Sequence, residues 1–342
     1  MKEIRTEDAV GHVLCHDITQ IIKDKKKGVL FKKGHIVREE DIPALLSVGK
    51  EHLYVWEKQE GILHENEAAE ILYTISADEH MHGSDIKEGK IELIADCNGV
   101  LKIRRDALLA VNRLGEMMIA SRHGDFPVKK GDKIAGTRII PLVIEKSKMD
   151  RAVEAAGSEP IFSILPYHAK KVGIVTTGSE VQKGLIKDTF TPVLTEKLSE
   201  FSCQVIGQTM PGDERTQITS DILKFIDDGA DMVICSGGMS VDPDDRTPGA
   251  IKDTGTEIIT YGAPVLPGAM LLLSYYKKND KIIPILGLPG CVMYAKRTVF
   301  DLILPRIMAD DPILSEEIAS YGEGGLCLNC NICTFPNCGF GK

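Results

Sequence analysis

The chain reads as an α/β protein, a mostly parallel, doubly wound sheet preceded by a β-rich or α+β amino-terminal region. Three observations predict this. Between residues 170 and 308, short apolar runs alternate with stretches of helical length, the rhythm of strands joined by helices that cover both faces of a sheet. Glycine-containing loops follow three of those runs, at 176–180, 236–245 and 287–291. Upstream, low aromatic content and frequent glycine turns describe smaller, strand-rich segments.

Taken in order, residues 1–60 predict hairpin strands at 28–31 and 33–37. A short helix led by Glu39, Glu40 and Asp41 follows and ends near Gly49, then a strand at 52–55. The lysine run 23–27 before Gly28 reads as an exposed hairpin tip rather than a polyanion site. Residues 61–168 predict strands at 99–103 and within 128–144, and a helix at 105–114. From 170 onward the expected strands are 171–176, 203–208, 231–235, 257–261, 269–275 and 281–286. The expected helices are 189–201, capped by Asp188 or Thr189, then 214–228, 248–254 and 292–308. This divides the chain into an α+β segment (1–60), a β-rich module (61–168), an α/β domain (169–310) and a tail (311–342).

At 342 residues, two or three domains are expected. A composition of 43% hydrophobic and 27% charged residues is that of an ordinary globular protein. The net charge of −9, with no basic stripe carrying interleaved aromatics, argues against nucleic acid as a partner. The first residues lack the apolar run of a signal peptide, and no stretch approaches the roughly 18 apolar residues of a membrane span. A cytoplasmic protein without membrane attachment is expected, and its nine cysteines then read as thiols or metal ligands rather than disulfides.

The chemistry concentrates at residues 232–248. A short apolar run delivers the backbone to Ser236, Gly237 and Gly238; three acids follow, Asp242, Asp244 and Asp245; then Arg246, Thr247 and Pro248 open a helix. Adjacent glycines let backbone N–H groups approach a ligand, and a helix start favours anions. Carboxylates beside an anion repel it unless a divalent cation stands between them. A phosphate-bearing ligand held with a metal ion resolves that tension. In sheets of this kind ligands bind beyond the carboxyl ends of the strands, where all three glycine loops are expected. Taken singly, Asp213 also fits a helix N-cap, Asp242 and Asp244 fit solvated loop acids, and Met239 fits a packing residue. Cys291 fits a small residue at a helix start, and His80 and His82 a solvated loop.

These loops together resemble the molybdopterin-binding domain shared by MoeA, MogA, gephyrin and CinA-type proteins, MoeA most of all. The resemblance rests on Val172 through Val181 (VGIVTTGSEV), on Met210-Pro211-Gly212-Asp213-Glu214, and on Ser236-Gly237-Gly238-Met239-Ser240 with Asp245-Arg246-Thr247-Pro248. Gly287-Leu288-Pro289-Gly290 completes it. It implies binding of molybdopterin or its adenylylate, Mg²⁺ and molybdate. It places the ligand against Thr177, Gly178, Ser179, Glu180, Ser236, Gly237, Gly238, Ser240, Pro289 and Gly290. Asp213 and Asp245 become the metal-holding, catalytic carboxylates, and Arg246 a candidate to offset phosphate charge. Self-association is implied as well. Residues 1–60 resemble the start of MoeA more loosely. The chain departs from MoeA in lacking the Asp-Gly-Tyr-Ala and Pro-x-Gly-Ala-Asp segments and in carrying Cys291-Val292 where Asn-Pro is usual.

Four cysteines crowd the tail, Cys327, Cys330, Cys333 and Cys338, in a C-x₂-C-x₂-C-x₄-C run. The spacing brings four soft ligands within reach of one centre, suited to a [4Fe–4S] cluster or Zn²⁺. Gly322, Gly324 and Gly325 read as a flexible hinge before it, leaving the tail able to dock on another protein. The leading expectation is Mg²⁺-dependent molybdate insertion into molybdopterin. The alternative is a non-catalytic carrier or chaperone delivering cofactor to a recipient molybdenum enzyme, which the departures from MoeA and the added tail favour. A CinA-like nucleotide pyrophosphatase would use the same loops.

Overall fold

The structure, a computed structural model, describes residues 2–22, 26–55, 60–185 and 187–342. Its contacts group into two compact units rather than four successive segments. The first comprises Met1–Ile94, Ile103–Arg122 and Lys133–Phe162; the second Ala95–Lys102, His123–Asp132 and Ser163–Lys342.

In the first unit, the strand Lys2–Arg5 pairs antiparallel with His52–Val55, and Ala9, Leu14, Ile18, Val37, Leu45 and Leu53 pack as a small core. The hairpin partner of 28–31 is Ile18–Ile22, which pairs with Lys26–Phe31; 33–37 pairs instead with 11–14, through the bridge Val13↔Ile36 and backbone hydrogen bonds such as the Leu14 amide to the His35 carbonyl at 2.9 Å. Lys23, Asp24 and Lys25 lie outside the described residues, and with them most of the expected lysine tip. Residues 61–168 hold more helix than their glycine turns suggest. Beside the expected helix Arg105–Asn112 stand Glu65–Ser76 and Lys146–Ala156. The first of these is capped by a histidine. His64 Nδ1 accepts from the Asn66 amide at 3.3 Å and Glu67 returns a carboxylate to the His64 amide at 2.8 Å. Its buried positions, Ala68, Ala69, Leu72 and Ile75, recur at helical spacing.

The second unit is built on a six-stranded sheet in the order Gln204–Thr209, Lys171–Thr176, Met232–Ser236, Lys281–Leu288, Leu272–Lys278, Glu257–Tyr261. The first four strands run parallel and the last two are antiparallel, so the expected mostly parallel sheet is present. Alternate residues feed two cores. Val172, Ile174, Met232 and Ile234 face the helices Phe190–Ser199 and Val299–Met308, while Val175, Val233 and Cys235 face Arg215–Asp227 and Thr247–Asp253. Apolar runs rather than strict alternation are what a sheet covered on both faces requires. Helix Arg215–Asp227 lies unusually close to the sheet. A Cβ on Gly173 would stand 2.8 Å from Phe225 Cβ, and one on Gly207 2.9 Å from Phe225 Cε1.

Two expected elements shift. The strand expected at 269–275 runs Leu272–Lys278. The helix expected at 292–308 is broken, with a short 3₁₀ turn at Gly290–Met293 and a restart at Val299. Thr298 explains the restart. Its hydroxyl accepts from the Phe300 amide at 3.2 Å and Asp301 accepts from the Thr298 amide at 2.8 Å, a reciprocal cap. At the other expected cap, Asp188 takes the Phe190 and Thr191 amides at 2.8 and 3.2 Å.

The tail is not a hinge. The Gly325 carbonyl accepts from the Leu266 amide and the Leu266 carbonyl from the Cys327 amide, both at 2.8 Å, while Gly341 donates to Gly324 at 2.9 Å. Side chains at Gly324 or Gly325 would collide with the backbone of Lys342 or of Pro264 and Tyr321. These glycines are there for close approach.

Candidate functional site

The site lies where the parallel strands end. Lys171–Thr176 and Met232–Ser236 run side by side, with Thr176 opposite Ser236 and Ser236 opposite Leu288. Their following loops are locked to each other. The Thr177 amide donates to the Ser236 carbonyl at 2.8 Å, the Thr247 hydroxyl donates to the Gly237 carbonyl at 2.9 Å, and the two threonine hydroxyls stand 3.0 Å apart. Gly237 and Gly238 adopt φ of +86° and +56°, and a Cβ on either would press on Thr177 or Thr247. Glycine is required here for conformation and for space. Thr247, fully buried, was legible in the sequence only as part of a helix start; the structure makes it the brace between two loops.

Asp213 is no helix cap. The helix Arg215–Asp227 begins after Glu214, and the Asp213 carboxylate instead takes the Ser179 amide at 2.8 Å and the Ser179 hydroxyl at 2.6 Å through one oxygen, Oδ2. Gly178 donates to the Gly212 carbonyl at 3.4 Å, so the loop at 177–179 is tied to the one at 211–213. Asp245 sits half-buried beside Thr247, and among the described residues its carboxylate has no hydrogen-bond or ion-pair partner. Tyr261, whose hydroxyl donates to the Met239 carbonyl at 3.3 Å, is pushed above its ordinary pKa by burial and by the nearby Asp245 charge.

Other expected site residues distribute unevenly. Ser236 is fully buried, its hydroxyl without a hydrogen-bond partner among the described residues, while Ser240 is exposed. Pro289 is buried and Gly290 exposed at the start of the 3₁₀ turn. Glu180 belongs to the short helix Ser179–Gln182, but its side chain lies outside the described residues. Asp242 and Asp244 are exposed, as is Arg246, and buried Met239 packs against Gly287, as a core residue does. Sequence reasoning missed a polar cluster on the other side of the loop at 177–179. Gln208 Nε2 lies 3.0 Å from Thr176 Oγ1, 2.6 Å from Thr191 Oγ1 and 2.7 Å from Asp188 Oδ2. Burial raises the Asp188 pKa, but hydrogen bonds from Thr191, Gln208 and Phe190 outweigh it and hold the carboxyl below its ordinary value.

The four tail cysteines line one small pocket, with Arg297 and Phe335 on its wall. Among the described residues, however, no group of three or more His, Cys, Asp or Glu side chains is arranged to hold a metal ion, so the expected convergence of the four thiols on one point is not present. No described helix is long and apolar enough to cross a membrane.

A mostly parallel sheet whose strand ends carry interlocked glycine loops places the candidate site where sheets of this kind bind their ligands. Residues 173–309 match the family described as probable molybdopterin binding domain. Residues 3–57 match a domain of unknown function, DUF8806. The chain is 25% identical over 182 residues to a molybdopterin molybdenumtransferase of Synechococcus elongatus, covering 51% of this chain and 42% of that protein. It is 28% identical over 233 residues to the molybdenum cofactor synthesis protein cinnamon of Drosophila melanogaster, covering 64% and 36%. The match thus spans less than half the length of either relative. Among solved structures, the tungsten cofactor synthesizing protein MoaB of Pyrococcus furiosus is similar at 20% identity and a TM-score of 0.32, over 36% of this chain and 84% of that one.

Proposed function

We propose that the chain acts in molybdenum cofactor biosynthesis, binding molybdopterin or its adenylylate and promoting Mg²⁺-dependent molybdate insertion. The observation that carries this reading is the lock between the loops at Thr177–Ser179 and Ser236–Thr247, which holds backbone amides and glycines together at the carboxyl end of the sheet. Backbone amides at Gly237 and Gly238 are suited to a terminal phosphate, and the exposed hydroxyl of Ser240 to its oxygens.

The donor set fits a hard divalent cation. Asp245 has a carboxylate with no partner among the described residues, and Asp213 has one oxygen, Oδ1, beyond the one that Ser179 occupies. Mg²⁺ held by these oxygens would polarise the pyrophosphate of an adenylylated pterin. The chain's own residues do the rest. Ser179 fixes Asp213, Thr247 fixes the glycine loop, and buried Pro289 closes the neighbouring strand end. We also assign a soft-metal centre, an iron–sulfur cluster or Zn²⁺, to the four tail thiols, as a structural part beside this chemistry and not a step of it. The protein would work in the cytoplasm as a self-associated species, passing cofactor to a recipient molybdenum enzyme.

Incubation with adenylylated molybdopterin, Mg²⁺ and molybdate tests the reading by AMP release. Asp245→Asn is expected to abolish release and leave pterin binding largely intact. Tight pterin binding without AMP release would replace insertion by the carrier role, which the departures from MoeA favour. Absence of pterin binding would refute both.

A further inference from the structure

The tail thiols form a more specific site than their spacing alone requires. Both ends of the segment are pinned to the second unit, Gly324–Cys327 through Leu266 and Gly341 through Gly324. Aromatic contacts close it, with Phe335 6.2 Å from both Phe126 and Phe340, and the Lys342 ammonium 4.9 Å from the Phe126 ring. Between these anchors, residues 328–338 contain neither helix nor strand, and Leu328 and Ile332 are 79% and 81% exposed. Among the described residues of this stretch, one backbone–backbone hydrogen bond forms, from the Asn337 amide to the Thr334 carbonyl at 2.7 Å. A loop with so little internal bonding does not gather four thiols around one pocket on its own account.

The pocket is electropositive. Arg297 shares the pocket wall with Cys333, lies 5.1 Å from the centre of the Phe335 ring, and is oriented from behind by Asp301 at 2.8 Å. Lys296 donates to the Asn331 carbonyl at 3.0 Å and reaches the Cys330 carbonyl at 3.4 Å. No carboxylate lines the pocket. The cationic side chains of Lys296 and Arg297 complement a net-anionic centre bound there. The identity of the centre follows from the arrangement. Zinc needs four sulfurs at about 2.3 Å from a single point, and its protein sites usually draw ligand pairs from two separated knuckles. Here three cysteines come from one C-x₂-C-x₂-C loop, and all four line a single pocket. A cubane, with an iron at each corner, takes its ligands from around a larger body, and that loop spacing is the one such clusters use.

We propose that Cys327, Cys330, Cys333 and Cys338 hold a [4Fe–4S] cluster that clamps the tail onto the segment Lys296–Asp301. This deepens the soft-metal assignment made above and is independent of the pterin chemistry. Loading is a ligand exchange with a thiolate-bound cluster donor. Four Fe–S(Cys) bonds form as the four Fe–S bonds to the donor's thiolates break, four protons leave the cysteines, the departing donor thiolates take those protons, and no electron moves. Because Lys296 and Arg297 lie between the Gly290–Met293 turn and the Thr298 cap, the clamp bears on the segment that closes the candidate pterin loop. Arg297 acts here as a positioning residue, through its place on the pocket wall and its charge.

The test is iron, sulfide and zinc analysis of the full chain purified without oxygen, with visible and EPR spectra before and after dithionite. About four iron and four sulfide per chain and a visible band that bleaches on reduction are expected. Cys333→Ser and Cys338→Ser should each lose most of both while unfolding at a temperature close to that of the metal-free parent. Arg297→Gln should release the cluster about 10- to 100-fold faster and lower its reduction potential, since the positive charge favours the reduced, more anionic state; Arg297→Lys should restore the potential. Stoichiometric zinc without sulfide would overturn the cluster and leave a soft-metal site standing. Failure to retain any metal after anaerobic reconstitution with iron and sulfide would overturn both.

Discussion

Replacing Gly237 by alanine separates two costs that the site imposes at once. At φ +86° any L side chain carries a left-handed penalty of about 1–2 kcal/mol. The new methyl would also stand 2.9 Å from Thr177 Oγ1 and against the Thr177 carbonyl, which is backbone and cannot swing away. Overpacking of this kind costs about 1–3 kcal/mol more. Gly229 supplies the control. It has φ +91° with nothing within 4 Å of a built Cβ, so Gly229→Ala carries the conformational penalty alone. At roughly 2–4 °C per kcal/mol, Gly237→Ala should melt about 2–12 °C below Gly229→Ala. It should also weaken pterin binding, measured by calorimetric titration, while Gly229→Ala leaves binding unchanged. Equal melting temperatures for the two variants would refute the close approach between the loops.

Three further outcomes are expected. Asp213→Ala removes the acceptor of two Ser179 hydrogen bonds, worth about 1.5–3 kcal/mol to a charged group, so the Ser179 amide should exchange hydrogen about 10- to 100-fold faster; unchanged exchange would show that the link does not hold the loop. His16 and His64 are both held below their ordinary pKa, by burial foremost in each, so the unfolded chain binds protons that the folded one does not. Stability should therefore be full above about pH 6.5 and decline below it until the lower folded values are passed, and His64→Gln should flatten the fall in urea midpoint; a midpoint that rises in acid would contradict this. In metal-free protein, exposed Cys330 and Cys333 should alkylate with iodoacetamide first. Fully buried Cys235, its thiol pushed up by burial, should react only on unfolding, and equal labelling by peptide mass mapping would refute that order.

The second unit was largely legible because its signals are local. Apolar runs such as 171–176 and 232–236 end in glycines, and helices such as Arg215–Asp227 carry their apolar positions at helical spacing. The break after Met293 was hidden because the apolar pattern runs on through it; only the Thr298-x-x-Asp301 pair marks the restart. Helix Glu65–Ser76 was hidden by a cap that is a histidine rather than a serine, threonine or aspartate. Within the site, the glycines were readable one loop at a time. What ties the loops is not, since Ser179 meets Asp213 across 34 positions and Thr177 meets Thr247 across 70. Nor could the sequence show that 95–102 and 123–132 pack with the second unit, because strand partners at such separations leave no local periodicity.

Phe225 has a consequence for how this fold can change over time. Its ring occupies the space that side chains at Gly173 and Gly207 would need, one on each of two adjacent strands. Neither glycine can grow while the ring remains, and a smaller residue at 225 would leave a void until one of them did. The three positions therefore form a single heritable unit, expected to drift together among relatives. Since the same helix begins two residues after Asp213, a lineage that rewrote this trio would also bear on the carboxylate that holds Ser179.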